Sequence, residues 1–204
     1  MFKNFGLYLV LTNPATSYEA CAEAAVVAGV RMLQLRVKNK TASELLPLAK
    51  RIRDITRGTE TLFIINDDPA LAAEVCADGV HLGQTDMPVT EARKRFSSLR
   101  LFGLSTHSME QALAALEQKP DIIGVGPVFA TPTKDIPDPT VGVEGMGEII
   151  RATQHACPAV AIGGIHAGNL AEVLAAGAKN FAVVRAVCGA EDPLAAIYKL
   201  QTIY

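Results

Sequence analysis

The chain has 204 residues, the length of one domain rather than two; half are hydrophobic and 20% charged, which excludes a disordered or linker-dominated protein. Nineteen basic against 21 acidic residues leave a net charge of -2, Trp is absent and aromatics are 5%. Neither a general electrostatic grip on nucleic acid or membrane nor a base-stacking platform is expected from that composition.

Short apolar runs recur along the chain at 7–11, 32–35, 62–65, 79–82, 101–104, 122–125, 159–162 and 181–184. Each has strand length, and most lack strict alternation, as strands buried on both faces do. The first run is too short for a signal-peptide core or a membrane span, so a cytoplasmic protein is expected. The segments between runs are long enough for helices. Leu45, Ala49, Ile52 and Ile55 keep helical spacing behind a capping box of Thr41 and Glu44. Thr16 with Glu19, and Ser108 with Gln111, give the same start signal; Gly29, Gly79 and Gly177 read as stops just beyond helices. Cys21, Cys76, Cys157 and Cys188 show no CxxC or CxxH spacing and read as small buried hydrophobes in a reducing compartment.

Eight strands, each followed by a helix-compatible segment, predict an α/β fold over 1–204, a compact single-domain (β/α)8 TIM barrel. A doubly wound open sheet is the alternative, because periodicity does not report ring closure. The stretch 131–147, with Pro132, Pro137, Pro139, Gly142, Gly145 and Gly147, is too broken for a helix and reads as a lid over the site.

Active sites of this fold gather at the C-terminal ends of the strands. After the second run, alternation puts Gln34, Arg36 and Lys38 on one face and Leu35 and Val37 on the other. Polar groups converging inward at a strand end, two of them cationic, suit a phosphate or diphosphate. The third and fourth runs end in Asn66-Asp67-Asp68 and in His81-Leu82-Gly83-Gln84-Thr85-Asp86. Asp67 and Asp86 on neighbouring strands suit Mg2+, which keeps waters and is completed by phosphate oxygens; capping of the next helix is the competing role for each. Ser105 offers a phosphate donor or a cap. Thr131, Pro132, Thr133 and Lys134 form a second anion-binding set after the sixth run, and the backbone around Gly164 and at Val184-Arg185 offers amide donors after the last two. That is provision for two anionic groups and a divalent metal.

QLRVK at 34–38, FIINDD at 63–68, DGVHLGQTDMP at 78–88, GLSTHS at 103–108, GVGPVFATPTK at 124–134 and AIGGI at 161–165, in this order, resemble thiamine-phosphate synthase. HLGQ and IGGI alone are shared with the sister thiazole tautomerases. The resemblance implies a transferase that joins a hydroxymethylpyrimidine diphosphate to a thiazole phosphate, with pyrophosphate as the second product. It implies Gln34, Leu35, Arg36, Val37 and Lys38 as the segment at the pyrimidine and its diphosphate, with Asn66, Ser105 and Lys134. It implies Asp67 and Asp86 as Mg2+ ligands, and Thr131, Pro132, Thr133, Gly164, Val184 and Arg185 around the thiazole phosphate. Asp68 stands where the family often has Arg, and Arg185 where a small hydroxyl residue is common.

Charge then sets the expected chemistry. Arg36, Lys38, Ser105 and Lys134 are the expected catalytic groups, stabilising a pyrophosphate that leaves from an electron-rich pyrimidine methylene. The partners are small molecules, with no nucleic acid and no membrane; a homo-oligomer is compatible with the sequence. The alternatives are a thiazole tautomerase using His107 as acid and base, or a phosphate-binding barrel without turnover. His81 and His155 read as structural or surface residues, and His166 lies beside the glycine pair without an assigned role.

Overall fold

The computed structural model describes residues 4–131 and 139–204. Its strands are β1 (Gly6–Leu11), β2 (Met32–Leu35), β3 (Leu62–Asn66), β4 (Gly79–Leu82), β5 (Leu101–Thr106), β6 (Ile122–Val125), β7 (Ala159–Ile162) and β8 (Asn180–Val183). All pair in parallel in sequence order, and β1 also pairs with β8, so the sheet closes into a barrel. That closure excludes the open-sheet alternative. The helices α1 (Tyr18–Val27), α2 (Ala42–Thr56), α3 (Pro69–Glu74), α4 (Val89–Arg95), α5 (Met109–Glu117), α6 (Gly142–Thr153), α7 (Leu170–Ala175), the one-turn α8 (Arg185–Cys188) and α9 (Pro193–Gln201) supply the crossovers and the closing segment. Among the described residues no helix is long and apolar enough to cross a membrane.

The period of two in each strand sorts the core into two layers. Leu7, Leu9 and Leu11 of β1, with Leu33, Phe63 and Phe102, pack outward against the helices. Tyr8, Val10, Met32, Ile64, Ile122, Val160 and Ala182 fill the barrel interior. Both layers are apolar, which explains why the strands read as apolar runs without alternation.

Carboxylates and an amide at the strand starts tie neighbouring strands together. Asp78 accepts from Phe63 N at 2.9 Å and from Arg53 of α2 at 2.9 Å. Asp121 repeats the arrangement with Phe102 N at 2.9 Å and Arg93 of α4 at 2.8 Å. At the closing seam Asn180 does the same work uncharged, accepting from Phe5 N at 2.7 Å and donating to Ala159 O at 3.2 Å.

The helix signals hold with local corrections. The Thr41–Glu44 capping box forms, and Ser108 caps α5. The cap of α1 is Ser17 rather than Thr16, because Ser17 Oγ reaches Ala20 N at 3.0 Å. Gly79 lies inside β4; Cys76, exposed and at φ 54°, makes the left-handed turn after α3 instead. Cys21, Cys157 and Cys188 are buried as expected. The lid assignment over 131–147 fails from Gly142 onward, where α6 starts and takes in Gly145 and Gly147; its stretch 132–138 lies outside the described residues. Gly147 is needed there because a Cβ would stand 2.9 Å from Ala176 O.

Candidate active site

A cavity of about 870 Å3 opens at the C-terminal ends of the strands, within the size range of small-molecule sites. Gln34, Arg36, Lys38, Asn66, Asp67, Asp86, Ser105, Thr131, Gly164, Val184 and Arg185 all line it. Leu35 and Val37 do not: strand parity turns them into the helix-facing layer, so their side chains are withdrawn from any ligand. Pro132, Thr133 and Lys134 lie outside the described residues.

The carboxylates come together at one side of the mouth. Asp67 follows β3 with φ 64°, a left-handed conformation that Asp tolerates better than most residues. Its backbone N–H donates to His81 O at 2.9 Å, which carries the β3–β4 ladder one residue past the strand. The helix-cap role falls on Asp68, whose Oδ1 accepts from Ala70 N and Leu71 N at 2.9 Å each. Asp67 is thereby left to face the cavity, and an acid at 68 has a structural reason. Asp86 is no helix cap either: its Oδ2 accepts from Gly83 N at 2.6 Å, within its own turn. Asp86 lies beside Asp67: burial first, then that neighbouring carboxylate, hold the Asp86 carboxyl above its ordinary value against the opposing Gly83 N–H and Lys38. Lys38 Nζ donates to Asp67 Oδ2 at 2.5 Å. Two neighbouring carboxylates fit a hard divalent cation that keeps open positions for water and phosphate oxygens. Among the described residues no group of three or more acidic, His or Cys ligands forms.

Deeper in the barrel, below the strand ends, lies a floor. Gln34 Nε2 donates to Tyr8 Oη at 2.7 Å. The Tyr8 and His81 rings are tilted against each other at 6.2 Å between centroids. Burial pushes the Tyr8 phenol well up, so it stays neutral. Burial likewise pulls the His81 imidazole down to about 4, only partly offset by the Asp67 charge, so at neutral pH the ring is uncharged. His81 Nδ1 is buried without a hydrogen-bond partner among the described residues. Tyr8 and His81 sit within apolar runs, so no sequence pattern distinguished them from core; only inward parity would have.

On the neighbouring strand β5, Ser105 lines the cavity while its neighbour Thr106 turns outward, donating to Gly124 O at 2.8 Å. His107 Nδ1 donates to Gly126 O at 2.6 Å, which fixes its tautomer, and Gln84 Nε2 crosses the rim to Ser105 O at 2.6 Å. The glycine pair has a packing reason beside any anion-binding one. Gly163 at φ 108° and Gly164 at φ 65° bring the β7 loop against 127–130, where a Cβ would lie 2.5 Å from Pro127 Cα or 2.7 Å from Phe129 Cβ.

Comparison with known proteins bears on the same surface. The family model for thiamine monophosphate synthase matches residues 7–187. The chain is 42% identical over 92% of its length to the thiamine-phosphate synthase of Chloroflexus aurantiacus, covering 85% of that protein. It is 44% identical over 92% of its length to the one from Gloeobacter violaceus, of which it spans 54%. The solved thiamine phosphate pyrophosphorylase of Pyrococcus furiosus superposes with a TM-score of 0.88 at 34% identity, covering 98% of this chain and 96% of that one. The matched span runs from the first strand to the loop after the last and takes in every described residue of the cavity wall: the chain is an enzyme and belongs to the thiamine monophosphate synthase family.

Proposed function

We propose that this cavity joins 4-amino-2-methyl-5-(diphosphooxymethyl)pyrimidine to thiazole phosphate, giving thiamine phosphate and pyrophosphate, and that Mg2+ is the metal it uses. The observation that carries the reading is the stacking of two environments. A neutral aromatic and amide floor of Tyr8, Gln34 and His81 lies below a charged rim of Arg36, Lys38, Asp67 and Asp86. A flat heteroaromatic ring with a polyanionic tail matches both at once.

The floor suits the pyrimidine because its polar atoms are few and oriented: Gln34 is held by Tyr8, and His81 brings an uncharged ring. Arg36 and Lys38 supply the cations for the diphosphate, with Ser105 and Asn66 as neutral donors beside them. Asp67 and Asp86 would hold Mg2+, which when bound adds positive charge at the diphosphate oxygens. The carbon–oxygen bond breaks with its electron pair leaving on pyrophosphate, and the methylene cation is delocalised into the aminopyrimidine. The thiazole nitrogen then supplies the pair for the new carbon–nitrogen bond, so the chain need provide no covalent nucleophile, only alignment and exclusion of water. Thr131, Gly164, Val184 and Arg185 form the opposite wall, suited to the thiazole phosphate. Pro132 and Thr133 are proposed for the same pocket, and Lys134 for the diphosphate.

Incubating the purified chain with both substrates and Mg2+, and following pyrophosphate and thiamine phosphate together, tests this. Stoichiometric release of both is expected. A thiazole tautomerase or a non-catalytic phosphate-binding barrel would release neither.

A further inference from the structure

Lys38 is in a place where it obstructs the metal site it borders. Its Nζ stands 2.5 Å from Asp67 Oδ2, and Asp67 is the carboxylate that neighbours Asp86. A divalent cation held by the two aspartates would need an Asp67 oxygen, and an ammonium already in contact with one of them would repel it. The contact is readily surrendered: the side chains of Lys38 and Asp67 are 47% and 34% exposed, and ion pairs this open to water are weak. Asp67 itself is not free to retreat, since its backbone is fixed at φ 64° by the bond to His81 O. The movable partner is therefore Lys38, on a flexible four-carbon stem beyond the end of β2.

Resting on the metal and diphosphate reading above, we propose that Lys38 is a placeholder cation, which occupies Asp67 until a diphosphate draws it away and so makes metal and diphosphate bind cooperatively. A diphosphate gives the ammonium a more highly charged acceptor on the same wall as Arg36. Moving Lys38 to that acceptor uncovers Asp67 Oδ2 for the metal that accompanies the diphosphate. Bare metal binds weakly, bare diphosphate leaves two unscreened carboxylates behind, and the pair binds well. By reciprocity, the factor by which diphosphate tightens metal equals the factor by which metal tightens diphosphate.

The experiment is Mn2+ binding to the whole chain by electron paramagnetic resonance, with and without inorganic pyrophosphate, corrected for Mn2+–pyrophosphate complexes in solution. The wild type is expected to bind Mn2+ at least about tenfold more tightly with pyrophosphate than without. Lys38→Gln is expected to bind bare Mn2+ about fivefold or more tightly than the wild type and to lose most of the enhancement; Lys38→Met, judged folded by its melting curve, repeats the test without a polar head. If neither variant tightens bare Mn2+ while Asp67→Asn abolishes binding, the placeholder is wrong and the metal reading stands. If Mn2+ binding is absent in every chain even with pyrophosphate, the metal reading fails and takes the placeholder with it.

Discussion

His81 is seated directly against Gly103: a Cβ on residue 103 would fall 2.3 Å from His81 Nδ1 and 2.9 Å from its Cγ and Cε1. The two residues pair across β4 and β5 in register, and the missing side chain on one strand is the space the imidazole of the other occupies. Gly124 on β6 continues the hollow, with a Cβ there 3.4 Å from Nε2. The site floor is thus made by two glycines that yield room to one histidine.

Gly103→Ala should therefore push the His81 ring out of its seat, at about 1–3 kcal/mol of stability for the overpacking. His81→Ala alone should cost a similar amount by leaving a cavity. The double variant should cost clearly less than the sum, because the added methyl enters space the ring has vacated. Urea midpoints for the three variants check this; additive losses would show that the two residues do not compete for one volume.

The buried imidazole also makes stability depend on pH. In the unfolded chain His81 takes a proton near its ordinary 6.5, and in the fold only near 4. Between those values the unfolded chain binds more protons, so acid favours unfolding. This part of the stability is intact above 6.5, falls as the pH drops, and levels off below about 4, with a total of at most about 3 kcal/mol. Denaturation curves from pH 7 to 4 should show the slope in wild type and a shallower one in His81→Gln. Equal slopes would mean the ring is hydrated in the fold.

That floor marks the boundary of what the residues disclose on their own. The barrel was legible because strands buried on both faces leave dense apolar runs, and all eight strands begin at or within one residue of the run that announces them, β8 included, where Asn180 precedes Phe181. The rim was legible because Gln34, Arg36 and Lys38 interrupt such a run with period two, and Asp67 and Asp86 end two others. Tyr8 and His81 were not, because a polar ring inside an apolar run looks the same whether it points to helices or to a ligand. The start of α6 was hidden for a related reason: Gly142, Gly145 and Gly147 lower helix propensity, and packing against the barrel through Met146, Ile149 and Ile150 overrides it.

Adjacent aspartates should give opposite phenotypes. Asp68 caps α3 through two backbone N–H groups, so Asp68→Ala should lower stability by about 1 kcal/mol and leave turnover nearly unchanged. Asp67 faces the cavity, so its loss should reduce turnover by on the order of a hundredfold with little effect on folding. Asn is the better replacement at 67, since Ala at φ 64° would add backbone strain of about 1–2 kcal/mol and blur the contrast. Steady-state rates and melting curves on the same preparations decide it; a shared loss of stability would mean both carboxylates are structural.

The seam offers a test at the other end of the barrel. Asn180 is 1% exposed and among the described residues serves Phe5 N at 2.7 Å and Gly6 N at 3.3 Å, from which it accepts, and Ala159 O at 3.2 Å, to which it donates. Asn180→Ala leaves them without a partner in a site closed to water, which should cost about 3 kcal/mol. Asn180→Asp separates the roles. An ionised carboxylate still accepts from Phe5 and Gly6 but sets its second oxygen against the Ala159 carbonyl, whereas a protonated one can donate there. Burial and that carbonyl both raise the folded-state pKa of the new acid above its unfolded value. The proton is then held more tightly in the fold, so the deficit of Asn180→Asp relative to wild type should shrink as the pH falls through the folded value and towards the unfolded one. Urea unfolding at pH 7 and pH 5 measures the change, and a deficit that grows with acid would mean the amide nitrogen is not what the seam requires.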